Sequence, residues 1–455
     1  MIGKRALVWG MARSGVAAAK LLCDAGARVR INDLKTEEEL GSALDSLKGE
    51  KIEFRLGEKA EDALDGVELL VISPGIPSSH PAVALAREKG IEVIGEVELA
   101  YRLGRGHVIG VTGTNGKTTT TTLLGEIFKN AGRTAYVVGN IGDPYSAYSA
   151  QMKDDDMVVC ELSSFQLETV DTFRPDVSLI LNLTEDHLNR HGTMEVYGRM
   201  KERVFENQTG SDCTVLNYDD PLTRKMASDA KCRVVWFSRT QTPEFGAFVK
   251  DGFIVFGTDS EYESVCRVED VTIPGPHNLE NALAAVAAAK CAGVAAPVIR
   301  HTLRVFRGVE HRIETVRTLD GVKYINDSKG TNPDSTIKAV ETMTVPTVIL
   351  LGGSEKNSDF GKMCEIIRSH CIIYAVLIGK TGERIGEALK KAGFTDYEYA
   401  GYDFDKAIGI ARAHSVPGGN VLLSPACASF DMFTDYEARG REFKRIVNAL
   451  TETKA

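Results

Sequence analysis

Lys117 stands near the end of a string rich in glycine and hydroxyl residues, Val108-Ile-Gly-Val-Thr-Gly-Thr-Asn-Gly-Lys-Thr-Thr119, which begins as an apolar run and leads into a segment with Leu123, Leu124 and Ile127 on one side of a helix. A strand that enters a glycine-rich turn and leaves it as a helix aims backbone N–H groups and the positive end of the helix dipole at one spot. That spot suits a phosphate chain. Lys117 is placed for the β- and γ-phosphates and the Thr118 hydroxyl for Mg²⁺, with Gly113, Thr114, Asn115, Gly116 and Thr119 completing the loop. The strict motif spacing needs glycine where Val111 stands, and the first glycine is Gly110. A chance glycine-rich turn is the alternative; strand, loop, lysine, hydroxyl and helix in the right order argue against it.

Glu161 ends the apolar run 157–160, at the strand edge where ligands of α/β folds gather, and a carboxylate there suits Mg²⁺ beside Thr118. A solvated strand-end charge is the alternative. His187 follows the run 177–181 in the same topological position, and a packed imidazole explains it equally well. On a helical wheel for 195–208, Lys201 falls with Tyr197, Met200, Val204 and Phe205 on the apolar face, where a bare ammonium is costly to bury. A snorkelling lysine is the bland explanation. His277, Asn278 and Asn281 open an alanine-rich helix behind Pro274-Gly-Pro276, as capping residues also do. Gly10-Met-Ala-Arg-Ser-Gly15 follows a strand and Asp33 ends the next, a weak dinucleotide fingerprint with alanine where backbone must approach a diphosphate. Turn packing, or a nucleotide diphosphate other than NAD, accounts for it as well.

Elements must hold these groups. Short apolar runs alternate with helical patterns along the chain, which predicts parallel sheets covered by helices. The first set of strands is 6–9, 29–32, 69–73 and 93–95. After the punctuation Gly104-Arg105-Gly106-His107 come 108–112, 135–139, 157–162, 177–182, 214–217 and 234–237, then a hairpin of 247–249 and 253–256. Near Arg307-Gly308-Val309-Glu310 the pattern restarts with 322–326, 347–351, 375–378 and 421–423. The expected architecture is α/β in three domains. A Rossmann-like N-terminal domain spans 1–104, a central P-loop-type ATP-binding domain with a parallel sheet spans 105–308, and a Rossmann-like C-terminal domain spans 309–455.

Composition agrees with that size. The 455 residues exceed one ordinary core, and 43% hydrophobic with 26% charged residues is globular usage. The balance of 54 basic against 63 acidic residues gives −9, which speaks against a nucleic-acid partner, so any phosphate must be held locally. Nine scattered cysteines without a C-x-x-C pair read as reduced thiols. No secretory signal is expected from Met-Ile-Gly-Lys-Arg, and the apolar stretch 282–298, broken by Lys290, Gly293 and Pro297, reads as a buried helix and not a membrane span. A cytoplasmic monomer is expected.

Six strings occur in order: Thr112-Gly-Thr-Asn-Gly-Lys-Thr-Thr119, Glu161-Leu-Ser-Ser-Phe-Gln-Leu-Glu168, Asn182-Leu-Thr-Glu-Asp-His-Leu188, His277-Asn-Leu-Glu-Asn281, Glu310-His-Arg312 and Asn326-Asp-Ser-Lys329. Together they resemble the Mur ligase family, which adds amino acids to UDP-N-acetylmuramoyl peptides, over essentially the full chain. Leu423-Ser-Pro-Ala-Cys-Ala-Ser429 and Gly352-Gly-Ser-Glu-Lys356 resemble the D-glutamate-adding member. The Asp-Asn-Pro-Arg string of the dibasic-amino-acid adders is absent, and Thr331-Asn-Pro-Asp334 stands instead. Folylpolyglutamate synthetases share the phosphate loop but usually lack such a first domain. An NAD-dependent oxidoreductase would leave that loop without a use.

The resemblance implies ATP-dependent ligation of D-glutamate to UDP-N-acetylmuramoyl-L-alanine through an acyl-phosphate, in cell-wall precursor synthesis. It implies two Mg²⁺ ions, held by Thr118, Glu161, His187 and a Lys201 carbamylated by CO₂. ATP would meet Lys117, Asn278, Asn281, Arg312 and Asp327, with Lys329 near the reacting phosphates. Ala12, Arg13, Ser14, Leu34, Ser73, Pro74 and Gly75 correspond to a uridine-diphosphate cradle, and Asn140 to a contact near the reacting carboxylate. Thr331, Lys356, Ser429 and the backbone near Tyr436 correspond to the D-glutamate contacts. Leu34 replaces a polar residue often used there, and Phe430 a smaller aliphatic one.

Overall fold

Every residue of Leu69–Ile72 and Val177–Ile180 is buried. Strands covered on both faces need helices on both sides, and parallel pairing follows. The computed structural model describes residues 1–354 and 358–452. Two units form, Met1–Val271 with Glu280–Phe306, and Thr272–Leu279 with Arg307–Ala455.

The first unit holds two sheets. One is fully parallel, in the order Ile52–Leu56, Arg28–Asp33, Arg5–Trp9, Leu69–Ile72, Glu92–Gly95. Its order reverses between Arg5–Trp9 and Leu69–Ile72, the place where α/β sheets bind ligands, and the Gly10–Gly15 turn and Ser73 lie there. The other sheet has nine strands, with His107–Thr112 between Val177–Ile180 and Met157–Glu161. Ala135–Gly139 lies beyond Met157–Glu161; Cys213–Asn217, Arg233–Ser238 and Gly246–Lys250 extend the other side in parallel. Phe253–Gly257 and Tyr262–Arg267 add an antiparallel edge.

The second unit is built on one sheet, in the order Glu314–Leu319, Val322–Asn326, Asn420–Leu423, Thr347–Gly352, Ile372–Ile378, Tyr397–Gly401. Among the described residues the first pair of strands is antiparallel and the other pairs are parallel. Cores lie on both faces of this sheet, around Leu351 and Ile367 on one side and Leu350 and Phe443 on the other.

Four strands carry no apolar run and escape a sequence reading: Ile52–Leu56, Tyr262–Arg267, Glu314–Leu319 and Tyr397–Gly401. Each is an edge strand. The alanine-rich stretch forms the helices Pro276–Cys291 and Ala296–Val305, and among the described residues no helix is long and apolar enough to cross a membrane. The helix bearing Lys201 ends at Glu202, so Val204 and Phe205 lie just past it.

Candidate active site

The strand His107–Thr112 delivers the chain into the loop, and the helix Lys117–Asn130 takes it out. Gly116 caps that helix at φ 84°, and a Cβ there would meet Asn281 Oδ1 at 2.1 Å. Glycine is required by both backbone and space. Side chains hold the loop from outside. Asn182 accepts the Asn115 N–H at 2.9 Å and donates to the Asn115 carbonyl at 3.1 Å. The Thr114 hydroxyl donates to Thr184 O at 3.1 Å and lies 3.2 Å from the buried Tyr197 hydroxyl. Lys117 Nζ donates to the carbonyls of Gly113 (2.9 Å) and Thr114 (2.8 Å), so its cation lies over the loop.

Glu161 and Lys201 converge on this loop from neighbouring elements. Glu161, 1% exposed, ends its strand beside Val111 and accepts from Asn140 Nδ2 at 2.8 Å through Oε1. Among the described residues its Oε2 is buried with no hydrogen-bond partner. A buried carboxylate oxygen without a donor is costly, and a cation would satisfy it. With the hydroxyl of Thr118 at the helix start, the donor set is all oxygen and fits Mg²⁺. Lys201, 1% exposed, donates to Gly113 O at 2.8 Å and stands 4.6 Å over the Tyr197 ring. It does not snorkel. Burial, and then the Lys117 cation, hold its ammonium well below the usual lysine range.

His187 lies at φ 55° before the short helix Leu188–His191 and packs against Phe165 at 4.7 Å between centroids, the planes tilted by 60°. Its side chain is 39% exposed, and Nε2 lies 3.6 Å from Asp186 Oδ2.

In the N-terminal sheet, Asp33 serves its own loop. Its Oδ2 accepts the Met11 N–H at 2.8 Å and its Oδ1 the Lys35 N–H at 3.0 Å. The turn is packing-limited as well: a Cβ on Gly15 would lie 1.8 Å from Gly10 O. Asp33 and the glycines therefore build the turn that carries Ala12, Arg13 and Ser14. The Ser73 hydroxyl reaches Gly10 O at 3.5 Å, Pro74 and Gly75 follow it, and Leu34 is 66% exposed.

The second unit gathers its own set. Asp327 is buried and accepts the Ser424 hydroxyl at 2.7 Å and the Ile313 N–H at 3.3 Å. Burial pushes its carboxyl up to about 6, while Arg312 pulls the other way. Lys329 Nζ stands 5.3 Å over the Tyr436 ring, and Ser328 donates to the Tyr436 carbonyl at 2.8 Å. Ser429 is buried, and its carbonyl accepts the N–H groups of Met432 and Phe433. Thr331 follows in the Lys329 loop, while Lys356 lies outside the described residues. Asn278 Nδ2 donates to Pro274 O at 2.7 Å, and burial drives the His277 imidazole down to about 3.

Arg439 escapes a sequence reading, yet it joins this set. Fully buried, it donates to Ser328 O (2.8 Å), the Ser328 hydroxyl (2.9 Å) and Cys427 O (3.1 Å), so one guanidinium ties the 327–331 loop to the 427–429 loop. Its spacing with Phe443 and Val447, one helical turn apart each, is the available signal.

Comparisons with known proteins agree along the whole chain. Family models match for the Mur ligase MurD-like N-terminal domain (residues 4–95), the Mur ligase middle domain (111–289) and the Mur ligase glutamate ligase domain (311–427). The UDP-N-acetylmuramoylalanine--D-glutamate ligase of Thermoanaerobacter sp. (strain X514) is 46% identical over 450 residues, covering 98% of this chain and 99% of the relative. That of Clostridioides difficile (strain 630) is 45% identical with the same coverage. Among solved structures, the UDP-N-acetylmuramate-alanine ligase of Thermotoga maritima superposes with TM-score 0.62 at 19% identity, covering 98% of this chain and 99% of that one. A pseudomurein peptide ligase type C from Methanothermus fervidus gives 0.60 at 19%, covering 99% and 100%. These two speak to the fold.

Proposed function

The chain belongs to the Mur ligase family, and on that premise we infer that it joins D-glutamate to UDP-N-acetylmuramoyl-L-alanine with ATP, in cytoplasmic cell-wall precursor synthesis. The relatives named for this reaction match from end to end. The observation that carries the reading is the meeting of Lys117, Glu161 and Lys201 at the 112–118 loop.

The substrate carboxylate attacks the γ-phosphorus of ATP, releasing ADP and forming an acyl-phosphate. The amine of D-glutamate then attacks the acyl carbon, phosphate leaves, and the amine proton goes to solvent. Anionic groups must first be brought together, which is the main electrostatic barrier. Lys117, now hydrogen-bonded to the loop carbonyls, would turn to the γ-phosphoryl group. The loop N–H groups orient the phosphate chain at the helix start. Thr118, Glu161, His187 and a carbamylated Lys201 would hold Mg²⁺, which supplies charge neutralisation between carboxylate and phosphate. A neutral amine is what reacts with CO₂, and the buried site favours that form of Lys201. Asn140, held by Glu161, faces the sugar-peptide carboxylate on this reading, with Ala12–Ser14, Leu34 and Ser73–Gly75 around the diphosphate. Asn278, Asn281, Arg312 and Asp327 serve ATP and Lys329 the reacting phosphates, while Thr331, Lys356, Ser429 and Tyr436 receive D-glutamate.

The test is phosphate release from ATP by the purified chain. It should require both UDP-N-acetylmuramoyl-L-alanine and D-glutamate. Equal release with another amino acid in place of D-glutamate would remove the substrate assignment.

A further inference from the structure

Arg190 has no role in the reaction as described, yet it is among the most heavily engaged side chains of the first unit. Its Nε and Nη2 donate to the two oxygens of Glu168, both at 2.8 Å, with side chains only 14% and 8% exposed. Burial opposes the charge on Glu168, but Arg190 holds its carboxyl below the usual carboxylate range. The same fork donates to Pro74 O at 3.0 Å and Ile76 O at 3.2 Å, and Glu168 also accepts the Ser78 N–H at 3.2 Å. The 74–78 loop, which follows Ser73 at the ligand edge of the first sheet, therefore hangs on this ion pair. The guanidinium also lies over the Phe165 ring, 4.2 Å from its centroid, and that ring packs against the His187 imidazole at 4.7 Å between centroids with the planes tilted by 60°. The Arg190 N–H also bonds the His187 carbonyl at 3.0 Å. A single planar fork thus touches the loop assigned to the diphosphate and, through one ring, the histidine assigned to the metal. Lysine could supply the charge but not this geometry.

We propose that Arg190 is a positioning residue that couples binding of the nucleoside-diphosphate sugar at the 73–78 loop to binding of a divalent cation at His187. This rests on the ligase reading for the identity of both ligands. The left-handed backbone of His187 is held by the Arg190 N–H on its carbonyl, and Phe165, in contact with both the guanidinium and the imidazole, holds the side chain. Ordering of the 74–78 loop by the sugar then steadies the histidine, and the reverse follows by linkage.

Calorimetric titration of the full chain with UDP-N-acetylmuramoyl-L-alanine, in a non-hydrolysable ATP analogue with and without Mg²⁺, tests this. Mg²⁺ should tighten sugar binding about tenfold in the wild type and by no more than about twofold in Arg190→Lys, at a similar melting temperature. Full coupling in a folded Arg190→Lys, or a lower melting temperature as its sole effect, overturns the proposal. Should that variant fail to fold, Glu168→Gln, which weakens the same fork, is read in the same way. A wild type that shows the coupling but releases no phosphate with D-glutamate keeps the role of Arg190 and removes the ligase reading. One that ligates without coupling does the reverse.

Discussion

Lys117 and Lys201 both donate to the carbonyl of Gly113, at 2.9 and 2.8 Å. Burial first, and then repulsion from the Lys117 cation, make Lys201 the amine whose proton is held loosely. The helical wheel reveals its apolar neighbours, but burial to 1% is a product of the fold and separates it from an ordinary snorkelling lysine. Lys201→Ala should therefore lose activity by roughly 100-fold, the scale of losing a group that tunes a metal site. If the working group is a carbamate, acetate or formate should partly restore the variant by returning a negative charge to the vacated space. Neither should help Lys117→Ala, whose missing charge is positive. Full activity in Lys201→Ala, or wild-type behaviour of Lys201→Arg, would show that no carbamate is needed.

The loop between His107–Thr112 and Lys117–Asn130 is legible in sequence because its demands are local. Glycine, lysine and hydroxyl residues must follow one another in order, and no distant partner is needed to recognise them. What fixes the loop is not local. Asn182 and Asn281 reach it from other elements, and the steric role of Asn281 against Gly116 emerges only in three dimensions. The same division runs through the fold. Central strands show themselves by continuous apolar runs, as Met157–Glu161 does with all residues buried. Edge strands such as Ile52–Leu56 and Tyr397–Gly401 face solvent and have no such run to read. Glu98 is a further case: completely buried, it accepts the N–H groups of Asp171, Thr172 and Phe173, partners that lie far away in sequence. For the loop itself, Gly116→Ala forces a left-handed alanine, costing about 1–2 kcal/mol, and drives its methyl group into the Asn281 amide. Affinity for a fluorescent ATP analogue should fall at least about tenfold, since a displaced N–H cradle loses several phosphate contacts together. Unchanged affinity would mean that the loop can shift without cost, and that Asn281 does not limit it.

At the scale of the molecule, the residues assigned to the sugar nucleotide, from Ala12 to Asn140, all belong to the first unit, while Thr331, Ser429 and Tyr436 belong to the second. Each unit has its own buried clusters, such as those around Val8 and Leu162 in the first and Leu351 in the second. Heating should then give two calorimetric transitions, which ligands and pH can label separately. Asp327 supplies the pH label. Its folded value of about 6 lies above the ordinary 3.8, so the folded unit binds the proton more tightly. That contribution is complete below pH 3.8 and is lost as pH rises through about 6, on the order of 3 kcal/mol. Relative to Asp327→Asn, which stays neutral, the wild-type transition of the second unit should fall between about pH 4 and about pH 7, and the other should not follow it. With that transition identified, D-glutamate should raise it, and UDP-N-acetylmuramoyl-L-alanine should raise the other, each by about 2.7 kcal/mol at one hundred times its dissociation constant. A single transition raised equally by both ligands would show that the units unfold as one. D-glutamate acting on the pH-insensitive transition would move its binding site out of the second unit.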